Sequence, residues 1–330
     1  MRTAARCFLV LAGLFAATAS ALLAQANAPE IPAEEMAAKK TEELPAYFNH
    51  WSPITRHRAA EELAGRGEAA VKPAIAAIQS ASPDVRRAAC DVIARMCNDR
   101  FAGRVRGKGK DSQEEARREA APAVAPLARL LADADQWVRY GAAEALAAVG
   151  PAARPAAAVL FKALADPDEG VVEQAAQALA AAGADDIDKR QLYPVLVKLL
   201  QHRRARARTA AVQMLDKMGD AGRPAIPALL VSVRERSPDS MFGDGPRVEA
   251  AKLLAKWKAP EAVDACIVLL DEKRWGAQHR IEQALRIVAG IGPAAKAAAP
   301  AIERAAAAKP EPPIPALAEK ALAAVKGAAK

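Results

Sequence analysis

Aromatic side chains are scarce: Phe, Tyr and Trp together make up 4% of the 330 residues. Runs of Val, Ile and aromatics are missing too, and β-sandwiches, barrels and doubly wound sheets are built from such runs. Histidine and cysteine number four each, which leaves little to build a metal site from. Disorder is excluded for most of the length, because 52% of the residues are hydrophobic and such a chain can bury enough surface to fold. What is abundant is alanine, roughly a quarter of the chain. Ala is the best helix former but buries little area per residue. The expected fold is therefore all-α, with thin and closely packed helix interfaces.

The N-terminus reads as an address. Met1 to Arg6 carries two positive charges and no acid, and Cys7 to Ala24 is almost wholly apolar. Ala24-Gln25-Ala26 has the small-x-small form of a signal peptidase site, with Ala19-Ser20-Ala21 as a second candidate. Charged start, apolar run and small-residue exit predict a cleavable secretory signal over 1–26. The alternative is an uncleaved anchor, since the run is just long enough to span a bilayer. A lipoprotein is disfavoured, because Cys7 lies at the start of the apolar run. No later stretch reads as a transmembrane span, so the mature chain is expected to be exported, periplasmic or secreted.

Cleavage leaves Cys90, Cys97 and Cys266, an odd number that forbids a complete intrachain disulfide framework. Cys90 and Cys97 fall on one predicted helix, about 10 Å apart along its axis, too far to bridge. They read as small buried apolar side chains.

An internal repeat organises residues 27–330. Its clearest copy runs from Asp135 through Val138, Arg139, Ala142, Ala143 and Leu146 to Gly150. Aligning all copies on the Leu146 position gives Leu63, Ile93, Leu146, Leu179, Leu215, Leu254, Leu285 and Leu322. Most spacings are 30 to 39 residues, the range of two-helix solenoid units. The wider gap after Ile93 implies an insertion of about 20 residues, a basic loop at about 98–119 with a short helical end around Ser112 to Glu119. Each unit reads as two antiparallel helices. The first is rich in Leu and Val with an early Pro, such as Pro73, Pro126, Pro194, Pro227 and Pro300. The second opens on an N-cap signal (Asp135, Asp168, Ser82-Pro83-Asp84), carries an i, i+4, i+8 apolar stripe and closes on Gly.

The pattern D-x-x-V-R-x-x-A-A-x-A-L-x-x-x-G resembles HEAT repeats, in particular the short HEAT-like repeats of phycobilisome lyases. The resemblance covers nearly all of residues 30 to 326. It implies an α–α superhelix of about eight helix pairs, a solenoid whose second helices line a concave side. It also implies that the pattern Arg and Asp residues tie adjacent units together. Arg56, Arg86, Arg139, Arg208 and Arg247 hold the Arg position, whereas Val172, Gln278 and Pro315 depart from it. These arginines are therefore expected to be structural.

No catalytic, cofactor or metal site is expected. None of His50, His57, His202 and His279 is followed by Glu or paired with a second His at i+4, unlike the His-Glu pairs of HEAT-like deoxyhypusine hydroxylases. Each reads as a solvated side chain. The cysteines lack C-x-x-C spacing, which removes a zinc or haem-attachment motif. Residues Gly103 to Lys110 superficially suggest a phosphate loop, but Lys110 is followed by Asp111 and no strand precedes them. A site assembled in space needs no linear motif, yet a thin Ala-rich solenoid has no deep cavity by default. A lyase or chaperone-like enzyme is the reading that the lyase resemblance alone would favour, and export argues against it.

Two surfaces remain. The outward stripe of the second helices carries Trp137, Tyr140 and Glu144. The matching positions elsewhere include His57, Arg87, Asp91, Glu173, Gln177, Thr209, Gln213, Lys252, Lys256, His279 and Gln283. Exposed aromatics in such a strip typically anchor a protein partner, although Trp137 could instead cover its neighbouring helix. Of these, Trp137, Tyr140, Glu144, Arg87, Asp91, Glu173, Gln177, Gln213 and Lys252 form the candidate partner-binding set. The second surface is basic: Arg104, Arg106, Lys108 and Lys110 in the insertion, and Arg203, Arg204 and Arg206 at a helix–helix turn. These read either as solvated surface or as a binder of anionic polymer. An exported protein rarely meets DNA, and aromatics for base stacking are few. The leading expectation is an exported, non-catalytic scaffold that binds an unidentified protein partner along its concave face. A binder of nucleic acid, acidic glycan or lipid headgroups is the alternative.

Overall fold

A computed structural model describes residues 29–98, 110–235, 245–272, 277–308 and 312–327. The expected signal over 1–26, and Arg104, Arg106 and Lys108 of the insertion, lie outside these residues. Among the described residues all regular structure is helical, as the composition predicts. Contacts cluster the chain into two compact units that divide between Ala156 and Ala157, where the sequence reads as one array. The first unit holds α1 (Ala33–Ala38), α2 (Pro53–Gly65), α3 (Val71–Ile78), α4 (Pro83–Met96), α5 (Lys110–Ala120), α6 (Val124–Leu130) and α7 (Gln136–Val149). The second holds α8 (Ala157–Ala163), α9 (Glu169–Ala182), α10 (Lys189–Leu200), α11 (Ala205–Met218) and α12 (Ile226–Arg234). It continues with α13 (Gly245–Lys256), α14 (Glu261–Leu270), α15 (Gln278–Ile291), α16 (Ala299–Ala308) and α17 (Ile314–Val325).

The second helices of the repeat are α2, α4 and α7 in the first unit, and α9, α11, α13, α15 and α17 in the second. Within each unit every second helix packs on the first helix of its own pair and on the second helix of the next pair. The cause is visible in α7. Asp135 caps it by accepting from the backbone N–H groups of Trp137 and Val138, at 2.8 and 3.0 Å. Val138, Ala142, Leu146 and Val149 then form one fully buried stripe. Gly150, at φ 68°, ends the helix. Gly141 lets α7 lie directly on α4: a methyl group there would stand 3.2 Å from Cys90 Cβ.

Seven of the eight anchor positions, Leu63 through Leu285, are buried. The eighth is corrected. In α17 the buried stripe is Ile314, Ala318, Ala321 and Val325, and Leu322 is half-exposed. Two apolar frames one residue apart coexist there, and the helix settles the choice by starting at Ile314.

The expected helical end of the insertion is present, starts two residues earlier and is packed. From Lys110 it is the helix α5, whose Ala116 and Ala120 are fully buried. Gln113 of this helix donates to the Cys97 carbonyl and Arg117 to that of Ala148. Two helical runs, Gln136–Ala163 and Gln278–Ala308, reach the length and hydropathy of a membrane span. Both are broken internally, by Gly150 at φ 68° and Gly292 at φ 72°. The three described cysteines are buried and unbridged. Burial pushes the Cys266 thiol up to about 12 and also raises that of Cys90, so neither behaves as a nucleophile.

Candidate functional site

The turns that join the paired helices share a module that spacing alone did not reveal. In five of the eight copies the residue thirteen before the anchor accepts from the backbone N–H two residues on. His50, Ser80, Asp133, Asp166 and His202 all do so, at 2.9 to 3.2 Å. The pattern Arg then donates to two carbonyls of the same turn. Arg56 caps His50 and Trp51, Arg86 caps Ser80 and Ala81, Arg139 caps Asp133 and Ala134, and Arg208 caps His202 and Arg203. Two of these arginines also tie pairs together. Arg86 clamps Asp133 of the next turn, and buried Arg247 meets buried Glu272 at 2.7 Å. The arginines are structural, as the family resemblance implies. Two histidines expected to be solvated are turn ligands instead: His50 and His202 accept where other copies use Asp or Ser. His57 stays on the surface, within reach of Glu61 and Arg95.

With the arginines spent on turns, the outward stripe can be placed residue by residue. In the first unit Arg87, Asp91, Trp137, Tyr140 and Glu144 line one groove with His57, a cavity of about 340 Å³ across α2, α4 and α7. Small residues at Ala60, Ala88 and Gly141 make its floor. The Trp137 and Tyr140 rings meet edge to face, 6.3 Å between centroids. Trp137 remains 54% exposed, so it does not serve mainly as a cover for its neighbour. The charges along the groove largely satisfy one another: Arg87 with Asp84 at 3.4 Å, and Arg95 with Asp91 at 2.8 Å. Trp51 and Ile54, at the start of α2, are also about half exposed.

The four candidates of the second unit are less uniform. Gln213 and Lys252 are exposed, the latter paired with Glu249 at 3.0 Å. Gln177 is half-buried and donates to the Glu173 carbonyl. Glu173 itself departs from the expectation: it is buried, and its carboxylate receives Arg204 at 3.2 Å. The basic turn is correspondingly quenched. Arg203, itself exposed, pairs with Glu169 at 2.6 Å and half-buried Arg204 with Glu173, while Arg206 is exposed. Read from the sequence either as solvated surface or as an anion-binding patch, the turn places two of its three arginines in ion pairs with α9. Lys110 begins α5.

Comparison with known proteins identifies the repeat. Residues 42–125, 115–180 and 158–241 match HEAT repeats, together more than half of the chain. The chain belongs to the HEAT-repeat family. Its fold class is all-α, the α–α superhelix of HEAT-like helix pairs. Among solved structures it is similar in fold to the Kap95:Nup1 complex. The TM-score is 0.57 at 12% identity, over 94% of this chain and 43% of that one. It is also similar to the archaeal HEAT-like repeats protein from Thermococcus onnurineus NA1. There the TM-score is 0.44 at 13% identity, over 88% of this chain and 98% of that one. A third is the complex of CpcE and CpcF of phycocyanin lyase from Nostoc sp. PCC7120. There the TM-score is 0.40 at 19% identity, over 91% and 99%. At these identities the likeness is one of fold alone. No curated protein matches the sequence significantly. HEAT repeats are a scaffold for protein contacts in general, because stacked pairs offer long surfaces.

Proposed function

We propose that this HEAT-repeat chain is an exported, non-catalytic scaffold that binds a protein partner through the groove of its first unit. The exposed Trp137, set against Tyr140 over a floor of small residues, carries the reading. A large aromatic beside a cavity is the usual anchor of a protein interface. The groove pairs no nucleophile with a general base, and Cys90 beneath it is held protonated by burial. Charges that already satisfy one another favour a partner held by shape and apolar contact over an anionic polymer.

The test is capture from an envelope extract with the chain 27–330, at low and high salt, read by mass spectrometry. One protein retained at both salts, and lost with Trp137→Ala and Tyr140→Ala at unchanged melting temperature, is the expected result. Retention unaffected by both substitutions rules out the groove. Capture only at low salt, with nucleic acid or acidic glycan in the eluate, replaces this reading with the anionic-polymer one. Export has its own readout: a mature N-terminus at Asn27 supports it, and a retained Met1 in the cytoplasmic fraction overturns it.

A further inference from the structure

The second unit contains a larger cleft that lies outside the proposed partner groove. It measures about 820 Å³ and is bounded by α13, α14, α15 and the turn after α15. This is within the size range of small-molecule sites. Its floor is aliphatic: Val263, Ile287, Ile291 and several alanines, with no aromatic ring. Its lining carries three cations, Lys252, Lys258 and Arg286, against one acid, Asp264. Lys252 is engaged by Glu249, whereas Lys258 and Arg286 are exposed and form no ion pair among the described residues.

Lys258 is the unusual residue. It stands four residues after the anchor Leu254. In four other copies the same repeat position is glycine, at Gly67, Gly150, Gly183 and Gly219, with φ from 59° to 95°. Lys258 adopts φ 54°, a left-handed conformation that disfavours any residue with a Cβ. The turn closes with the Ala259 N–H donating to the Leu254 carbonyl at 3.0 Å, the six-to-one bond of a Schellman cap. A strained backbone that persists at the mouth of a cavity is a pointer to function. The strain puts a cation on the cleft rim where glycine would put nothing.

We propose that this cleft binds a free monocarboxylate with an acyl chain, the chain on the aliphatic floor and the carboxylate at the rim carrying Lys258 and Arg286. An unbranched chain suits a floor without aromatic rings or polar groups. The excess of cations selects an anionic head.

The experiment is calorimetric titration of the full mature chain with sodium decanoate below its micellar concentration, with decanol and acetate as comparators. Decanoate is expected to bind about tenfold more tightly than decanol, because the alcohol forfeits the charge-assisted contacts. Acetate is expected not to bind. Lys258→Gly should weaken decanoate about tenfold without lowering the melting temperature, since glycine fits the turn better. Arg286→Ala is the second variant and should weaken it similarly. Equal affinity for decanol and decanoate, or decanoate binding indifferent to both variants, overturns the proposal. So does association with anionic vesicles in place of free decanoate, which would make the cations a membrane-facing surface.

Discussion

Arg86 and Asp133 meet side by side across the boundary between two helix pairs, Nε on Oδ2 and Nη2 on Oδ1, both at 2.8 Å. The same guanidinium caps the carbonyls of Ser80 and Ala81, and the same carboxylate accepts from the Asp135 N–H. Both side chains are mostly buried, so the pair is little screened. Arg86→Met should cost roughly 3 kcal/mol, because it strands a desolvated carboxylate and two carbonyls. Asp133→Asn should cost less than Asp133→Ala, since it keeps an acceptor for Asp135. Burial pushes the Asp133 carboxyl up, but the Arg86 and Asp135 hydrogen bonds and the nearby arginine charges outweigh it and hold the carboxyl below its usual range. The stabilisation is thus complete above about pH 4 and is lost as the pH falls through that lower native value. Chemical denaturation of the wild type and the three variants checks this. Equal stability of Arg86→Met and wild type would remove the pair as a link between repeats.

His202 makes the turn of its repeat sensitive to a milder acidity. Its Nδ1 accepts from the Arg204 N–H at 3.2 Å, so that nitrogen must be unprotonated. Burial lowers the imidazole below its ordinary value. Glu169 and Glu173 oppose the shift, and Arg204 and Arg208 add to it. The unfolded chain therefore takes up this proton first as the pH drops below about 6.5. Stability should be full above that pH and decline below it, until the native His202 is also protonated. His202→Asp restores the acceptor that Asp133 and Asp166 provide elsewhere and should flatten the melting temperature between pH 7 and pH 5. A wild-type curve already flat over that interval would refute the mechanism.

The second helices were legible because three local signals coincide on them: an acid or Ser cap, a four-residue apolar stripe and a closing glycine. Asp135, Leu146 and Gly150 illustrate all three. The groove residues followed from the same register, since a helix that buries Val138, Ala142 and Leu146 must turn Trp137, Tyr140 and Glu144 outward. Other features had no linear signal. Burial of Glu173 depends on Arg204, 31 residues away. The cleft beside Lys258 marks itself only by the loss of the repeated glycine. His50 and His202 passed as solvated, because equivalence with Asp133 lies in one lone pair and not in residue type.

The packing of α5, although not its helicity, was hidden for a related reason. Its sequence is mostly charged, and its buried face is made of alanines, too small to raise a hydrophobic period. Ala116 and Ala120 are nevertheless fully buried, and the Cys97 thiol reaches the Ala116 carbonyl at 3.7 Å. A buried alanine contributes little area of its own, but it leaves no room for anything larger. Ala116→Asp should therefore destabilise the chain by at least about 3 kcal/mol, as an unpaired buried carboxylate that also overpacks the site. Glu114 lies on the exposed side of the same helix, and its contact with Arg118 is long and solvated. Glu114→Ala should fall within about 0.5 kcal/mol of wild type. Melting curves for the two variants separate a packed helix from a surface loop. If Ala116→Asp melts with the wild type, α5 contributes nothing to the fold of the first unit.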